Sequence, residues 1–363
     1  MEFSVKDTLR ASIEAVSGGR NTIMYDDQGN PNIMVCIPKF DTKYMGVPIP
    51  GTHPAFNLGN GKECPEIWVS KYQNTHGNGG VPVSVIFDDR IPTTETIPTT
   101  SKFERFGFYD CTPSEGAELC EKKGKGWHLM SNIEWCATFQ QGIVMRTGAV
   151  LKNRAESYFG SLSYHTHDGT PDGVTITHGS PDIVDGIALR WYDEFYAWID
   201  QNGDLCNDFI NKPMKPTSIR IDAGFPVANS SFPHVHIYKI QDSNRAPAND
   251  GRVGGSDPNT THHQMLNEID IVTPMDDVTK TRIMNMGLVS INDYDTLSAM
   301  CFDPTVETDT GEELSMIRGT SWQNSNLKLP NLPPGAETPM MYAFARTLNH
   351  YGIRSVWISP DYL

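Results

Sequence analysis

Residues 124–139 read GKGWHLMSNIEWCATF, a short loop closing into a helix start. Ser131 and Glu134 stand three positions apart. That is the spacing of a capping box, in which a serine and a glutamate each satisfy a backbone N–H group at the open end of a helix. Behind them Ile133, Cys136, Ala137, Phe139, Ile143 and Val144 mark a broad buried face. The stretch predicts a loop, a cap and a core helix, with Trp127 and Trp135 packing inside. Nothing in it is an evident catalyst, so it speaks of a scaffold before it speaks of chemistry.

Working outward, the 363 residues suffice for one large domain or two ordinary ones. No apolar run approaches the ~18 residues that a membrane span needs, so membrane insertion is not expected. A net charge of −15 without any basic run argues against nucleic acid as a partner, because phosphate binding needs clustered Lys and Arg. The opening MEFSVKDTLRASIEAVSGG lacks the basic-then-apolar layout of a signal peptide, and no export signal is expected. Cys36, Cys64, Cys111, Cys120, Cys136, Cys206 and Cys301 are scattered, with neither a CxxC pair nor a Cys/His zinc spacing. They read as buried thiols of a protein that matures in a reducing compartment.

The chain alternates few helices with many short strands. Val5, Leu9, Ile13 and Val16 recur at helical spacing over 4–17, and Gly18-Gly19 stops that helix. Its narrow stripe suits packing on its own domain or on copies of itself. From 21 to 110 come short β-like runs between Gly, Pro and Asn turn signals, with no βαβ rhythm and no glycine-rich phosphate loop. CTPSEGAELCEKKG (111–124) predicts a second helix, with Thr112 as cap, Pro113 at the first helical position and Glu115 reaching back. IALRWYDEFYAWIDQNGDLCND (187–208) reads as a hairpin turning at Asn202-Gly203. A strand at 232–241, a polar loop at 242–264 and a short helix near 275–286 follow. The class is α+β.

The remaining polar clusters read as turns. His165, His167, Asp168 and Asp172 sit among Gly and Pro that break any ligand frame. His234 and His236 share a strand face without a carboxylate nearby in sequence. Asp200, Asn202 and Asp204 imitate the start of a calcium loop, but the glycine falls at the fourth position and no Glu follows at the twelfth. Asn229 and Asn259 match glycosylation acceptors and read as polar loops. There is no GxSxG elbow. No catalytic residue, metal or cofactor is expected.

The order of these pieces resembles the C-type lectin-like fold in the variant shared by formylglycine-generating enzymes and bacteriophage variable proteins. Trp127, Leu129, Glu134 and Trp135, with Ser131 as cap, match its "WRLPTEAEWE"-like helix start. Arg318, Gly319, Ser321 and Trp322 match "RGGSW", and Gly352 and Arg354 match a closing "GFR". The words IPKF (37–40), HPAF (53–56) and IWVSKYQN (67–74) are similar to phage and prophage virion proteins, some of them diversified by retroelements. In place of the family's "GNVWEW" stands DIVDGIALRWYDEF (182–195), with Trp191 as the surviving aromatic, and no metal is expected there.

The resemblance implies a lectin-like domain over 51–363, enlarged by a loop-rich insertion near 242–264. Residues 1–50 would form an N-terminal helix and β-rich extension for oligomerisation or virion attachment. The oxidising enzymes of the group need two cysteines near the C-terminus, whereas the 62 residues after Cys301 contain none. Thiolate chemistry needs thiols, so an oxidase is the weakest reading and no enzyme is expected. The "EPN" or "QPD" and "WND" words of calcium-dependent sugar binding are also missing.

The implied ligand face lies between the RGTSW strand and the final strand, at Trp322, Asn324, Asn326, Tyr342, Asn349, His350 and Tyr351. Aromatic and amide side chains on a stable frame give contact area and adaptable hydrogen bonds. The implied protein is a homotrimeric bacteriophage tail-fibre or tail-tip protein, assembled in the host cytoplasm with other virion proteins. It would bind a host-surface glycan or protein receptor. The alternative is a decoration, collar or head protein that uses the same fold without adhesion.

Overall fold

Residues 127–131 link the two main sheets: 127–129 form an edge strand of one, and Ser131 makes an isolated bridge to Asp185 on a strand of the other. The computed structural model describes residues 5–72, 74–85, 113–145, 182–190, 194–223, 235–239, 264–265, 269–271, 276–288, 300–302, 314–318, 341–344 and 353–363. In chain order the elements are α1 (Val5–Ser17), β1 (Asn21–Tyr25), β2 (Pro31–Pro38), β3 (Glu66–Ser70), β4 (Thr75–His76), β5 (Pro82–Val83), α2 (Pro113–Glu121), β6 (Trp127–Leu129) and α3 (Asn132–Met145). Then follow β7 (Asp182–Arg190), β8 (Glu194–Trp198), β9 (Met214–Ala223), β10 (Val235–Lys239), β11 (Gln264–Met265), β12 (Ile269–Ile271), α4 (Asp277–Asn285), β13 (Met300–Phe302), β14 (Leu314–Arg318), β15 (Met341–Phe344) and β16 (Ser355–Trp357). The α+β class is as expected.

One sheet has the order β1-β2-β3-β16-β6, so the last strand of the chain is inserted between β3 and β6. A larger sheet runs β11-β13-β15-β14-β7-β8-β9-β10-β12, antiparallel except where β10 meets β12 and β13 meets β15. Helix α3 packs on β2 of the first sheet and β7 of the second. The core between them gathers Val35, Ile67, Val69 and Val356 from one sheet, Val184, Phe195 and Trp198 from the other, and Ile133, Trp135 and Ala137 from α3.

Two glycines of the opening motif are there for steric reasons. At Gly126 (φ +87°) a Cβ would come within 2.2 Å of the Ile358 carbonyl oxygen, and at Gly124 (φ +125°) it would meet the Asp27 carboxylate. Only glycine allows both the left-handed backbone and this close approach. A third, Gly186, sits where β7 bulges against β14, and lets the strand press onto the Trp198 ring. The bulge re-aims Asp185, whose backbone N–H donates to the Met130 carbonyl.

One local expectation changes. The hairpin of β7 and β8 pairs Arg190 with Glu194, ahead of the expected turn at Asn202-Gly203. Asn202-Gly203 instead closes a small turn in which Asp200 Oδ1 accepts the Asn202 and Asp204 N–H groups. Helix α1 ends at Gly18-Gly19 and rests on β1, with Arg10 Nε donating to the Ile23 carbonyl and the Thr22 hydroxyl to Glu14. Leu9 and Val16, however, face solvent at 49% and 72% exposure, because half-buried Ile13 and the polar contacts already seat the helix. No helix among the described residues is long and apolar enough to cross a membrane.

Candidate functional site

The helix start carries a closed polar network. The Ser131 N–H donates to Glu134 Oε2 at 2.8 Å, and the Glu134 N–H to Ser131 Oγ at 3.2 Å, which completes the capping box. Glu134 Oε1 receives Asn207 Nδ2 at 2.8 Å and lies 2.7 Å from His128 Nε2. His128 Nδ1 faces the Gly126 carbonyl, an obligate acceptor, so that nitrogen carries a proton, and the ring stacks on Phe209 at 3.7 Å. All four polar residues are buried. Their hydrogen bonds run to one another and to the Gly126 and Ala55 carbonyls, which marks this cluster as frame. Glu134→Gln keeps the shape but sets its NH2 group against either the Ser131 N–H or the Asn207 Nδ2 donor. It is expected to cost about 2 kcal/mol, read as a lower urea midpoint; an unchanged midpoint would count against the network.

Two buried guanidiniums flank the segment expected to bind ligand. Arg318 Nε donates to Asn132 Oδ1 at 2.8 Å, and its terminal nitrogens donate to the Met286 and Gly287 carbonyls just past the end of α4. Its charge meets the negative end of that helix and lies over the Trp135 ring at 5.2 Å. Burial pulls the guanidinium down to about 10. Arg354 Nε donates to Asp182 Oδ2 at 3.1 Å, and another guanidinium nitrogen to the Ser70 and Lys71 carbonyls. Arg318, Arg354 and Asp182 are all at most 1% exposed. Trp127, Ser131, Glu134, Trp135, Arg318 and Arg354 are thus all buried, with Trp135 in the hydrophobic core.

Of the expected ligand-face residues, Tyr342 lies on β15 opposite Ile317 of β14. Trp322, Asn324, Asn326, Asn349, His350 and Tyr351, together with Gly319 and Gly352, lie outside the described residues. So do His165, His167, Asp168, Asp172 and His234. Among the described residues no group of three or more His, Cys, Asp or Glu side chains could hold a metal ion. Cys64, Cys136 and Cys206 are buried and Cys36 half-buried, without disulfides. Burial pushes the thiols of Cys36 and Cys64 up to about 12.

A cleft of about 520 Å³ opens elsewhere, between the 42–63 segment, the Asp200–Leu205 turn and α4. Glu63, Asp204, Thr281 and Asn285 are among its lining residues, and Arg282 reaches past it to the Gly203 and Thr217 carbonyls. Asn285 Oδ1 is buried with no hydrogen-bond partner among the described residues. The lining is rich in acceptors and suits a hydrogen-bond donor. The sequence shows Asp200, Asn202 and Asp204 only as a turn, and the cleft they help to line is not legible there because its three walls are far apart in the chain. Neither a family model nor a curated protein matches this chain significantly.

Proposed function

We propose that this chain is a bacteriophage virion protein of the tail fibre or tail tip, built on a C-type lectin-like fold, that binds a host-surface receptor through residues 319–352. The observation that carries the reading is the pair of anchors just described. Arg318 immediately precedes the segment and Arg354 follows it closely, and both are locked into the core by buried hydrogen bonds. Binding residues commonly sit on loops whose ends a rigid scaffold fixes. Trp127, Leu129, Glu134, Trp135, Arg318 and Arg354, the described motif residues of the three stretches that resemble the lectin-like group, are all buried, which supports the reading.

In this reading the protein acts by binding, without catalysis, a cofactor or a metal. Residues 1–50 attach it to sister subunits in a homotrimer and to other virion proteins, and several weak sites presented together raise the avidity. Exposed Leu9 and Val16 on α1 offer an apolar contact for that assembly. The test is retention of purified full-length protein on host cells. Trp322→Ala and Tyr351→Ala are each expected to weaken it by about tenfold or more, as loss of an aromatic anchor does. Retention unchanged in both variants sinks the assigned face. Binding to capsids or tail tubes but not to cells would favour the decoration or collar role instead.

A further inference from the structure

Outside the network at the helix start lies a second buried cluster, and it contains an amine with nothing to do in the reading above. Lys123 is fully buried. Its Nζ lies 2.7 Å from Asn32 Oδ1 and 2.7 Å from Ser355 Oγ, under the Trp127 ring at 3.9 Å. The carbonyl carbon of Asn32 is one C=O bond, about 1.23 Å, beyond that oxygen, so Nζ stands within roughly 4 Å of Cγ, near attack distance.

The rest of the cluster is arranged around the same amide. Asn32 Oδ1 also accepts the Ser84 N–H at 3.0 Å, which polarises the carbonyl. Asn32 Nδ2 donates to the Asn30 carbonyl at 3.2 Å and faces Asp26 Oδ2 at 3.5 Å. These partners fix which end of the amide is oxygen. Asp26 and Asn32 are buried too, at 5% and 0% exposure. The loop that carries Lys123 is tied to the facing turn by the Asp27 N–H, which donates to the Lys123 carbonyl at 2.8 Å.

We infer that Lys123 and Asn32 join in an intramolecular isopeptide bond, with Asp26 as the proton carrier. The neutral amine attacks Asn32 Cγ and the Nζ–Cγ bond forms, while the developing oxyanion is held by the Ser84 N–H. In the adduct Nζ and Nδ2 share Cγ, so Asp26, whose Oδ2 faces Nδ2 at 3.5 Å, passes a proton from Nζ to Nδ2; the Cγ–Nδ2 bond breaks, and ammonia leaves. One amine and one primary amide become one secondary amide and ammonia, with no change of oxidation state. Burial supplies the nucleophile, since desolvation pulls the Lys123 amine down to about 7 and leaves much of it uncharged near neutrality, although the Asp26 charge opposes this. The bond ties β2 to the loop before β6 across 91 residues. It would covalently link the N-terminal β region to the frame of the ligand face, as suits a protein loaded by force.

The experiment is the intact mass of the folded, purified full-length chain, measured after denaturation. The expected mass is lower than the sequence mass by one ammonia. Digestion should yield a branched peptide joining the segments around residues 32 and 123. Lys123→Met and Asn32→Ala should each restore the full mass for that residue set and abolish the branched peptide. On a denaturing gel wild type should run ahead of both variants, because an uncleaved loop keeps it compact. A wild-type chain of full sequence mass overturns the inference, whether or not the variants fold. So does an ammonia loss that maps to succinimide at Asn60-Gly61, Asn78-Gly79 or Asn202-Gly203 rather than to residues 32 and 123.

Discussion

Replacing Arg354 by leucine is expected to cost about 3–5 kcal/mol of folding stability, the largest single loss among the frame residues. The reason is what remains. Asp182 stays 1% exposed and loses the guanidinium 3.1 Å away, while the Ser70 and Lys71 carbonyls each lose a donor. A buried carboxylate that has lost its guanidinium costs far more than the intact pair contributes, since the pair's attraction is largely offset by the desolvation of both ions. The second replacement, Asp182→Leu on the Arg354→Leu background, should therefore recover a substantial part of the loss. Urea denaturation of the three variants reads this directly. A single variant within about 1 kcal/mol of wild type, or a double variant no better than the single, would show that the pair does not carry this load.

What could be read from the chain in advance follows the range of the interactions. The Ser131/Glu134 box was legible because its partners are three residues apart and helix geometry dictates where they meet. The stop of α1 at Gly18-Gly19 was legible for the same reason: left-handed φ values of +63° and +82° are a local demand. Asn207 behind Glu134, Asp182 under Arg354 and Gln140 against His53 were not, because each pair spans 73 to 172 residues and depends on tertiary contact. The stripe of α1 left its partner open between its own domain and a copy, since periodicity shows that a face is apolar but not what covers it. Leu9 and Val16 stay exposed. For Arg318 the resemblance singled out the residue, but its role emerged only with α4, whose last carbonyls it caps.

His53 should make the fold acid-sensitive above the range where most carboxylates titrate. It lies fully buried, stacked on Phe40, with Nδ1 accepting the Ala55 N–H at 3.2 Å. Nε2 must then carry the proton that it donates to Gln140 Oε1 at 2.9 Å. A second proton would set a donor against the Ala55 N–H inside the core, and burial pulls the imidazole from 6.5 down to about 3. Between those values the unfolded chain binds a proton that the folded one refuses. Stability is therefore complete above pH 6.5 and is lost as the pH falls toward 3. At 1.36 kcal/mol per pH unit, this group alone should remove about 2–3 kcal/mol between pH 6.5 and 4.5. Chemical denaturation across that range, run beside His53→Gln, isolates the term, because the glutamine variant still carries every other titrating group but lacks this one. The wild-type curve should fall more steeply by that amount. Parallel curves would mean that His53 takes up its proton in the folded state as readily as in the unfolded chain.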